Sequence, residues 1–592
     1  MGDSVDDVIR TCLLGVVALV TIVAAGAFSK KLGVAAPLIL IVVGFAFSFL
    51  PGTPVDIPHE IILIGLLPPI LYSAAINVPV IDFRRNLGSI TALSVLLVLV
   101  TAFVTGFILY MLFPKLDLAT GVAIGAVISP TDAVAATALG KKLGLPPRLV
   151  TILEGESLVN DATALVLLRS AIAAAATAVS FWGVVGDFAF AVALAAAFGL
   201  VVGFVTVLVR SKLRDPMLDT AISFAVPFIE FIPTEFLHGS GVLAVVIAGL
   251  YSGHYGAKKF TAQARISERL NWRTLQFVLE NGVFLLMGVQ ISYLIAETQK
   301  FDLSADTAIY LGLLMTLVVL IIRFAFIAPL LAALRRGEAR AEEQHTRWGV
   351  ALERLRERID QNERLSNNLR FMRRHERVER AHERRRADLD QLRAEGLGWR
   401  GGVILGWSGM RGVVTLAAAQ SLPSGTPYRP QLVLIAFTVA VVTLLVQGGT
   451  LPWLIRLTGI RGTDHAADRR ELASLLDLIG EAGLQALDNP VFALPHGEQI
   501  DPEVIERVRH DTLLAAESAW ERADHGAGDA GLTHSPQRQY RALRREVLQA
   551  ERTALLEARS AGTFPSRVLN RAQAMIDLEE TRLEQMDNPG GS

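Results

Sequence analysis

Eight consecutive residues of a single apolar stretch contain three carboxylic acids and one amide side chain. They are Glu154, Glu156, Asn160 and Asp161, in the segment TILEGESLVNDATALVLL at 151–168. A carboxylate at the centre of a membrane-spanning helix raises the insertion free energy by about 2.5–3.5 kcal/mol. At helical spacing Glu154 and Asp161 share one face, and Glu156 and Asn160 share another. This helix must therefore be surrounded by protein or face a water-filled cavity.

The four polar residues do not all require the same explanation. Glu154 lies close to Arg148 and could belong to the membrane interface, and Asn160 could join two helices through its amide. Asp161 lies well inside the apolar stretch, where an interfacial role does not apply. We therefore interpret Asp161 as a functional acid.

Two other apolar segments place a charged residue beside residues that break helices. In GVAIGAVISPTDAVAATAL, Pro130 removes a backbone donor directly before Thr131 and Asp132. In GGVILGWSGMRGVVTLAAAQ, glycines flank Arg411 and weaken the helix around it. A helix broken inside a membrane exposes carbonyl oxygens on one side of the break and amide hydrogens on the other, a geometry that can bind ions. Arg411 should need a buried acid or freed carbonyls as partners.

The whole chain is composed like an integral membrane protein. Of its 592 residues 52% are hydrophobic and 19% are charged, and the mean hydropathy is +0.43. Apolar stretches near 20 residues, long enough to cross ~30 Å of hydrocarbon, recur along the first three quarters of the chain. We predict an all-α integral membrane protein with about 13 transmembrane helices, centred near residues 18, 42, 68, 100, 128, 162, 196, 224, 247, 284, 320, 410 and 442.

Lys and Arg residues concentrate in every second loop between these spans, while the other loops carry one or none. The positive-inside rule then places the N-terminus outside the cell and the C-terminus in the cytoplasm, in the cell membrane. The two broken spans, the fifth and the twelfth, are seven apart. An odd offset reverses direction through the membrane, so we predict an inverted repeat whose broken helices cross at mid-membrane.

We predict four regions along the chain. Spans 1–11 occupy 1–334, a charged helical insertion occupies 335–400, spans 12 and 13 occupy 401–457, and a helical tail occupies 458–592, with the insertion and the tail in the cytoplasm. The insertion carries 18 Arg against 13 Asp or Glu. It either forms a solvated face that packs locally or contacts a partner helix or anionic lipid. The tail contains no pattern that identifies a ligand or partner for it.

Several function classes are disfavoured by what the sequence lacks. It contains no Walker A loop, no GxGxxG after a strand and no HExxH, and Cys12 is its only cysteine. We therefore expect neither an enzyme nor an ATP-driven pump. We also expect no cofactor and no nucleic-acid partner, with the lipid bilayer as the surrounding medium.

The motifs SPTDAVA, ESLVNDATALV and GMRGVV, with FVLENGVFLLMG and GSGVLAVVIAG, resemble the monovalent cation/proton antiporters over about residues 8–457. The resemblance is to the cation/proton antiporter-1 branch, the bacterial and eukaryotic sodium/proton exchangers. It implies a homodimer in which each protomer has two bundles. It also implies that Asp161 alternately binds cation and proton, and that Glu156 forms a structural pair with Arg411. Cation binding is assigned by the resemblance to Asp161, Asn160, Ser157, Thr131 and Asp132.

The expected activity is exchange of Na⁺ or Li⁺ for H⁺, serving pH homeostasis. Competition of cation and proton for one acid predicts electroneutral, one-for-one exchange with alternating access. A K⁺/H⁺ antiporter of the same mechanism and a cation channel are the alternatives. One position departs from the pattern: Ser73 stands in LLPPILYSAAINV where several bacterial relatives have an acid, and a serine cannot compensate charge.

Overall fold

The computed structural model describes residues 2–32, 34–49, 58–176, 181–213, 215–299, 304–360 and 397–460, with scattered positions in 377–382 and 470–579. The chain forms two compact units, Met1–Gly462 and Thr463–Ser592. The first unit is all-helical over its described residues, which confirms the predicted fold class. Most of the predicted insertion beyond residue 360 and most of the predicted tail lie outside the described residues.

The helices of the first unit are α1 (Gly2–Leu32), α2 (Ala36–Phe47), α3 (Leu67–Asn77), α4 (Val80–Arg85), α5 (Leu87–Thr91), α6 (Leu97–Leu112), α7 (Leu118–Ile128), α8 (Val134–Leu143), α9 (Pro147–Ala176) and α10 (Phe181–Arg210). They continue with α11 (Pro216–Phe236), α12 (Gly241–Lys259), α13 (Ala262–Val289), α14 (Ile291–Thr298), α15 (Ala305–Asp360), α16 (Trp399–Trp407), α17 (Val413–Gln420), α18 (Arg429–Thr443) and α19 (Gly449–Thr458). Three π-helical turns complete them: Ile61–Leu66 before α3, Ala92–Leu96 between α5 and α6, and Leu444–Gly448 between α18 and α19.

These helices form a multi-pass membrane fold. Among the described residues, eight helical segments are long and apolar enough to cross a bilayer, and shorter apolar helices accompany them. Each predicted span centre falls within a helix or at the break between two helices. The helices α1, α10 and the first part of α15 bury few of their residues, as lipid-facing helices do.

Buried apolar residues of the described part form two large clusters. One gathers α2, α6 to α9 and α16 to α19 with part of α15, and includes Ile128 and Ile404. The other gathers α3, α11, α12 and α13 around Tyr72 and Trp272. The helix α9 contributes to both clusters. Its Ile152 packs in the first and its Leu158 in the second.

The predicted break in the fifth span is observed between α7 and α8. The helix α7 begins after Asp117, whose side chain accepts a hydrogen bond from the backbone N–H of Thr120 at 3.1 Å. It ends at Ile128, just before Pro130, which cannot donate a helical hydrogen bond. Gly125 lets α7 approach α6 closely, because a Cβ there would collide with the backbone of Ala102.

The twelfth span breaks in the same way between α16 and α17, and the two breaks meet. The backbone N–H of Asp132 donates a 2.7 Å hydrogen bond to the carbonyl of Met410. Gly412, in extended conformation directly before α17, lies against the Asp132 side chain. The predicted crossing of two broken helices is therefore present, with the charged residues Asp132 and Arg411 at its centre.

Gly412→Ala tests how tightly this crossing is packed. The new Cβ would overlap the Asp132 carboxylate and the backbone would have to shift, so we expect a loss of about 1–3 kcal/mol of stability and a lower melting temperature in detergent. Gly425→Ala is the matched control, because a Cβ at Gly425 meets only open space. Equal melting temperatures for the two variants would contradict the observed packing.

Candidate functional site

One hydrogen-bonded network joins the crossing to the middle of α9. The Thr131 hydroxyl donates to Oε1 of Glu156 at 2.7 Å. The Asn160 amide donates to both the carbonyl and the hydroxyl of Thr131, each at 2.9 Å. The backbone N–H of Ala133 donates to the Ser157 hydroxyl at 3.3 Å. Four of the predicted site residues, from two elements of the chain, are thus brought together.

Asp132 lies at the N-terminal end of α8. Its Oδ1 accepts a 2.8 Å hydrogen bond from the backbone N–H of Val134, one of the donors that a helix start leaves unpaired. The same carboxylate lies against Gly412, directly before α17. A negative charge is favourable beside a helix N-terminus, so Asp132 balances the positive ends of the half-helices at the crossing.

Arg411 complements Asp132 at the opposite helix ends. Its Nε donates to the carbonyl of Ile128, the last residue of α7, at 3.1 Å, and its Nη1 donates to the carbonyl of Gly409. Its backbone N–H donates to the Thr443 hydroxyl at 3.0 Å. The guanidinium therefore satisfies carbonyls that the breaks leave without helical partners.

The structure corrects the predicted partner of Glu156. Both carboxylate oxygens of Glu156 accept from Arg323 of α15, at 2.5 and 2.9 Å, and Arg323 also donates to the carbonyl of Leu405 at 3.1 Å. The prediction that Glu156 pairs with Arg411 is therefore wrong. The reason is geometric. The guanidinium of Arg323 donates two parallel hydrogen bonds to the Glu156 carboxylate, whereas the guanidinium of Arg411 donates to backbone carbonyl oxygens.

Arg323 belongs to this network although it was not predicted, and the sequence carried a signal for it. It is the lone charged residue in the apolar part of α15 at 309–334. A lone arginine in the middle of a membrane span requires a buried partner. Glu154, by contrast, lies outside the network: it forms a 2.8 Å ion pair with Lys141 of α8.

Asp161 lies beside the network, next to Asn160, and differs from the acids at the crossing. It is 9% exposed, and among the described residues its carboxylate has neither a hydrogen-bond donor nor a cationic partner. Next to it, Oδ1 of Asn160 is buried and has no hydrogen-bond partner in the described part of the chain. A carboxylate and neutral oxygens beside a broken helix are the ligands with which transporters hold Na⁺ or H⁺.

Comparisons of this sequence with known sequences agree on one family. The model of the transmembrane sodium/hydrogen exchanger family matches residues 16–457. An uncharacterized Na⁺/H⁺ exchanger of Mycobacterium tuberculosis is 30% identical, over 96% of both chains. The low-affinity Na⁺/H⁺ antiporter NhaS1 of Synechocystis is 25% identical, over 75% of this chain and 72% of its own. A solved sodium proton antiporter of Methanocaldococcus jannaschii shares the fold, with a TM-score of 0.53 at 16% identity, covering 76% of this chain and 99% of its own.

A double-mutant cycle tests the pair of Glu156 and Arg323. Glu156→Gln and Arg323→Met each leave one buried charge without its partner, so each should destabilise the fold by about 3–5 kcal/mol. The double variant should lose less than the sum of the two single losses, with a coupling of about 0.5–3 kcal/mol in thermal unfolding.

The matched control cycle combines Glu156→Gln with Arg411→Met. Because the Arg411 guanidinium donates to carbonyls, this cycle should show the smaller coupling. A larger coupling with Arg411 than with Arg323 would argue against the observed pairing.

Proposed function

Because this chain belongs to the sodium/hydrogen exchanger family, we propose that it is a secondary antiporter that exchanges Na⁺ or Li⁺ for H⁺ at Asp161. The observation that carries this proposal is the Asp161 carboxylate. It is buried beside a crossing of broken helices and has no hydrogen-bond donor or cationic partner among the described residues. The other acids of the network are engaged: Glu156 by Arg323, and Asp132 by the start of α8.

The proposed mechanism is competition for one acid. A cation binds ionised Asp161, with the Oδ1 of Asn160, the Thr131 carbonyl and the Ser157 hydroxyl as neutral oxygen ligands. A proton binds the same carboxylate and displaces the cation. If the acid crosses the membrane loaded with one or the other, the two must move in opposite directions. The loaded forms carry the same net charge, so exchange is electroneutral and one for one.

Asp132 holds a fixed countercharge in this proposal. Its carboxylate faces the N-terminal ends of half-helices, where the ionised form is stabilised, and so it need not exchange its proton during the cycle. Asp161 is then the titrating acid of the exchange cycle, because its neighbour Asn160 cannot ionise.

The proposed setting is the cell membrane, with the N-terminus outside and the C-terminus in the cytoplasm. Spans at 1–334 and 401–457 would form the transport unit, with the 335–400 insertion and the 458–592 tail in the cytoplasm. Exposed apolar faces such as that of α10 offer area for lipid and for the second copy of a homodimer.

Asp161→Asn tests the assignment, because it preserves size and removes both charge and titration. In everted vesicles with a pH-sensitive dye, we expect an inserted protein without Na⁺- or Li⁺-dependent proton movement. Asp187→Asn, the same change at an exposed position of α10, should retain exchange. Substantial cation-dependent proton movement in Asp161→Asn would contradict the mechanism.

The same assay separates the alternatives when Na⁺, Li⁺ and K⁺ are titrated individually. A response to K⁺ without one to Na⁺ would replace the proposal with K⁺/H⁺ antiport. Dissipation of a Na⁺ gradient without coupled proton movement would replace it with a channel.

A one-acid cycle also predicts insensitivity to voltage. In proteoliposomes clamped with K⁺ and valinomycin, the initial rate of Na⁺/H⁺ exchange should not change with an imposed potential of either sign. Transport of a second charge would couple the cycle to the potential by about 2.3 kcal/mol per 100 mV. A strong response of the rate would therefore contradict the one-acid mechanism.

A further inference from the structure

Glu280 of α13 is a second acid without a cationic partner near the crossing. It lies within electrostatic reach of Asp132, as Asp161 does. Unlike Glu156, it forms no ion pair with any residue that the structure describes. It lies within a membrane-spanning segment, Gln263–Thr298, and its side chain is at most partly exposed. A carboxylate in this position requires a compensating charge or a proton.

Glu280 is connected to the position where the sequence departs from the family pattern. The Ser73 hydroxyl of α3 donates to Oε1 of Gln276 at 2.8 Å, and Nε2 of Gln276 donates to Oε1 of Glu280 at 2.6 Å. Gln276 and Glu280 are four residues apart and share a face of α13. The amide of Gln276 orients one oxygen of Glu280 but carries no charge that could neutralise it.

From this arrangement we propose that Glu280 is a further cation-binding residue, which receives the monovalent cation on its way to Asp161 and sets the apparent affinity for it. The proposal rests on the proposed function of Asp161. It assigns the compensating positive charge to the cation itself, because the described hydrogen-bond donor to Glu280 is the uncharged amide of Gln276. Gln276 is a positioning residue that orients the carboxylate, and Ser73 holds Gln276 through its hydroxyl.

A purely structural role makes a different prediction. If Glu280 only joined α13 to α3 through Gln276, its loss would lower stability and the amount of active protein. The maximal rate of the vesicle preparation would then fall, because it contains fewer active proteins. The half-saturating cation concentration would stay unchanged. A cation-binding role changes the half-saturating concentration and leaves the maximal rate per folded protein nearly unchanged.

The test measures Na⁺-dependent proton movement by the full-length protein in proteoliposomes at one pH, over a range of Na⁺ concentrations. For Glu280→Gln we expect the half-saturating Na⁺ concentration to rise about tenfold or more, while the maximal rate stays within about twofold; a tenfold change corresponds to about 1.4 kcal/mol. Glu297→Gln, the same change on α14, is the matched control and should behave as the unsubstituted protein.

A double variant that moves the acid from Glu280 to position 73 provides an independent test. Adding Ser73→Glu to Glu280→Gln moves the carboxylate along the hydrogen-bonded chain from α13 to α3. This double variant should lower the half-saturating Na⁺ concentration again, which a structural role would not explain. If Glu280→Gln is not recovered folded, Glu280→Asp decides: shortening the acid should still shift the half-saturating concentration.

The inference is overturned if Glu280→Gln, or Glu280→Asp in its place, keeps the half-saturating Na⁺ concentration of the unsubstituted protein. It is also overturned if the maximal rate alone falls, or if Ser73→Glu restores nothing. These outcomes leave the proposed function intact as long as Asp161→Asn abolishes exchange. Retained exchange in Asp161→Asn would instead overturn the proposed function itself.

Discussion

Two helices of this bundle break where they cross, and lipid cannot solvate the backbone groups that the breaks expose. In a bilayer every such group needs a partner inside the protein. The hydrogen bond from the Asp132 amide to the Met410 carbonyl satisfies one group from each broken span. Further helix ends at the crossing are satisfied by the charged side chains of Asp132, Arg411 and Arg323.

The charges follow the polarity of the half-helices. Carbonyl ends face arginines: Arg411 donates to Ile128 at the end of α7, and Arg323 donates to Leu405 near the end of α16. Amide ends face a carboxylate, since Asp132 accepts from Val134 and lies against Gly412. These groups are fixed by the breaks they balance. The proposed exchange therefore uses Asp161, an acid that balances no helix end.

The sequence was informative wherever the physical cause was local. Pro130 predicted the position of the first break, the glycines around Arg411 predicted the second, and long apolar stretches predicted the helices in order. The motifs around them predicted the family, which the family model confirms. Each of these features depends on residues adjacent in the chain, so pattern and chemistry alone could identify it.

Pairings between distant segments could not be predicted in the same way. Glu156 and Arg323 are separated by 167 positions, and the choice between Arg323 and Arg411 depends on how α15 packs beside α9 and α16. The chain of Ser73, Gln276 and Glu280 joins α3 to α13 across 203 positions for the same reason. A charged residue in an apolar span indicates that a compensating group is needed, but the packing of the helices decides which residue supplies it.

The helix α9 combines a fixed acid and a free acid, and its place in the bundle explains why both roles are compatible. Glu156 and Asp161 are five residues apart, so their side chains point about 140° away from each other. Glu156 is held by Arg323, while the neighbours of Asp161 along the helix, Leu158 and Ala162, pack in the cluster around Trp272. Leu165, one turn further along α9, packs against both large clusters, so the two clusters meet beside Asp161. A small displacement between two packed clusters can open a buried group at their boundary to one side and then to the other. This position therefore suits the role proposed for Asp161, an acid that exchanges its ligand with both sides of a membrane.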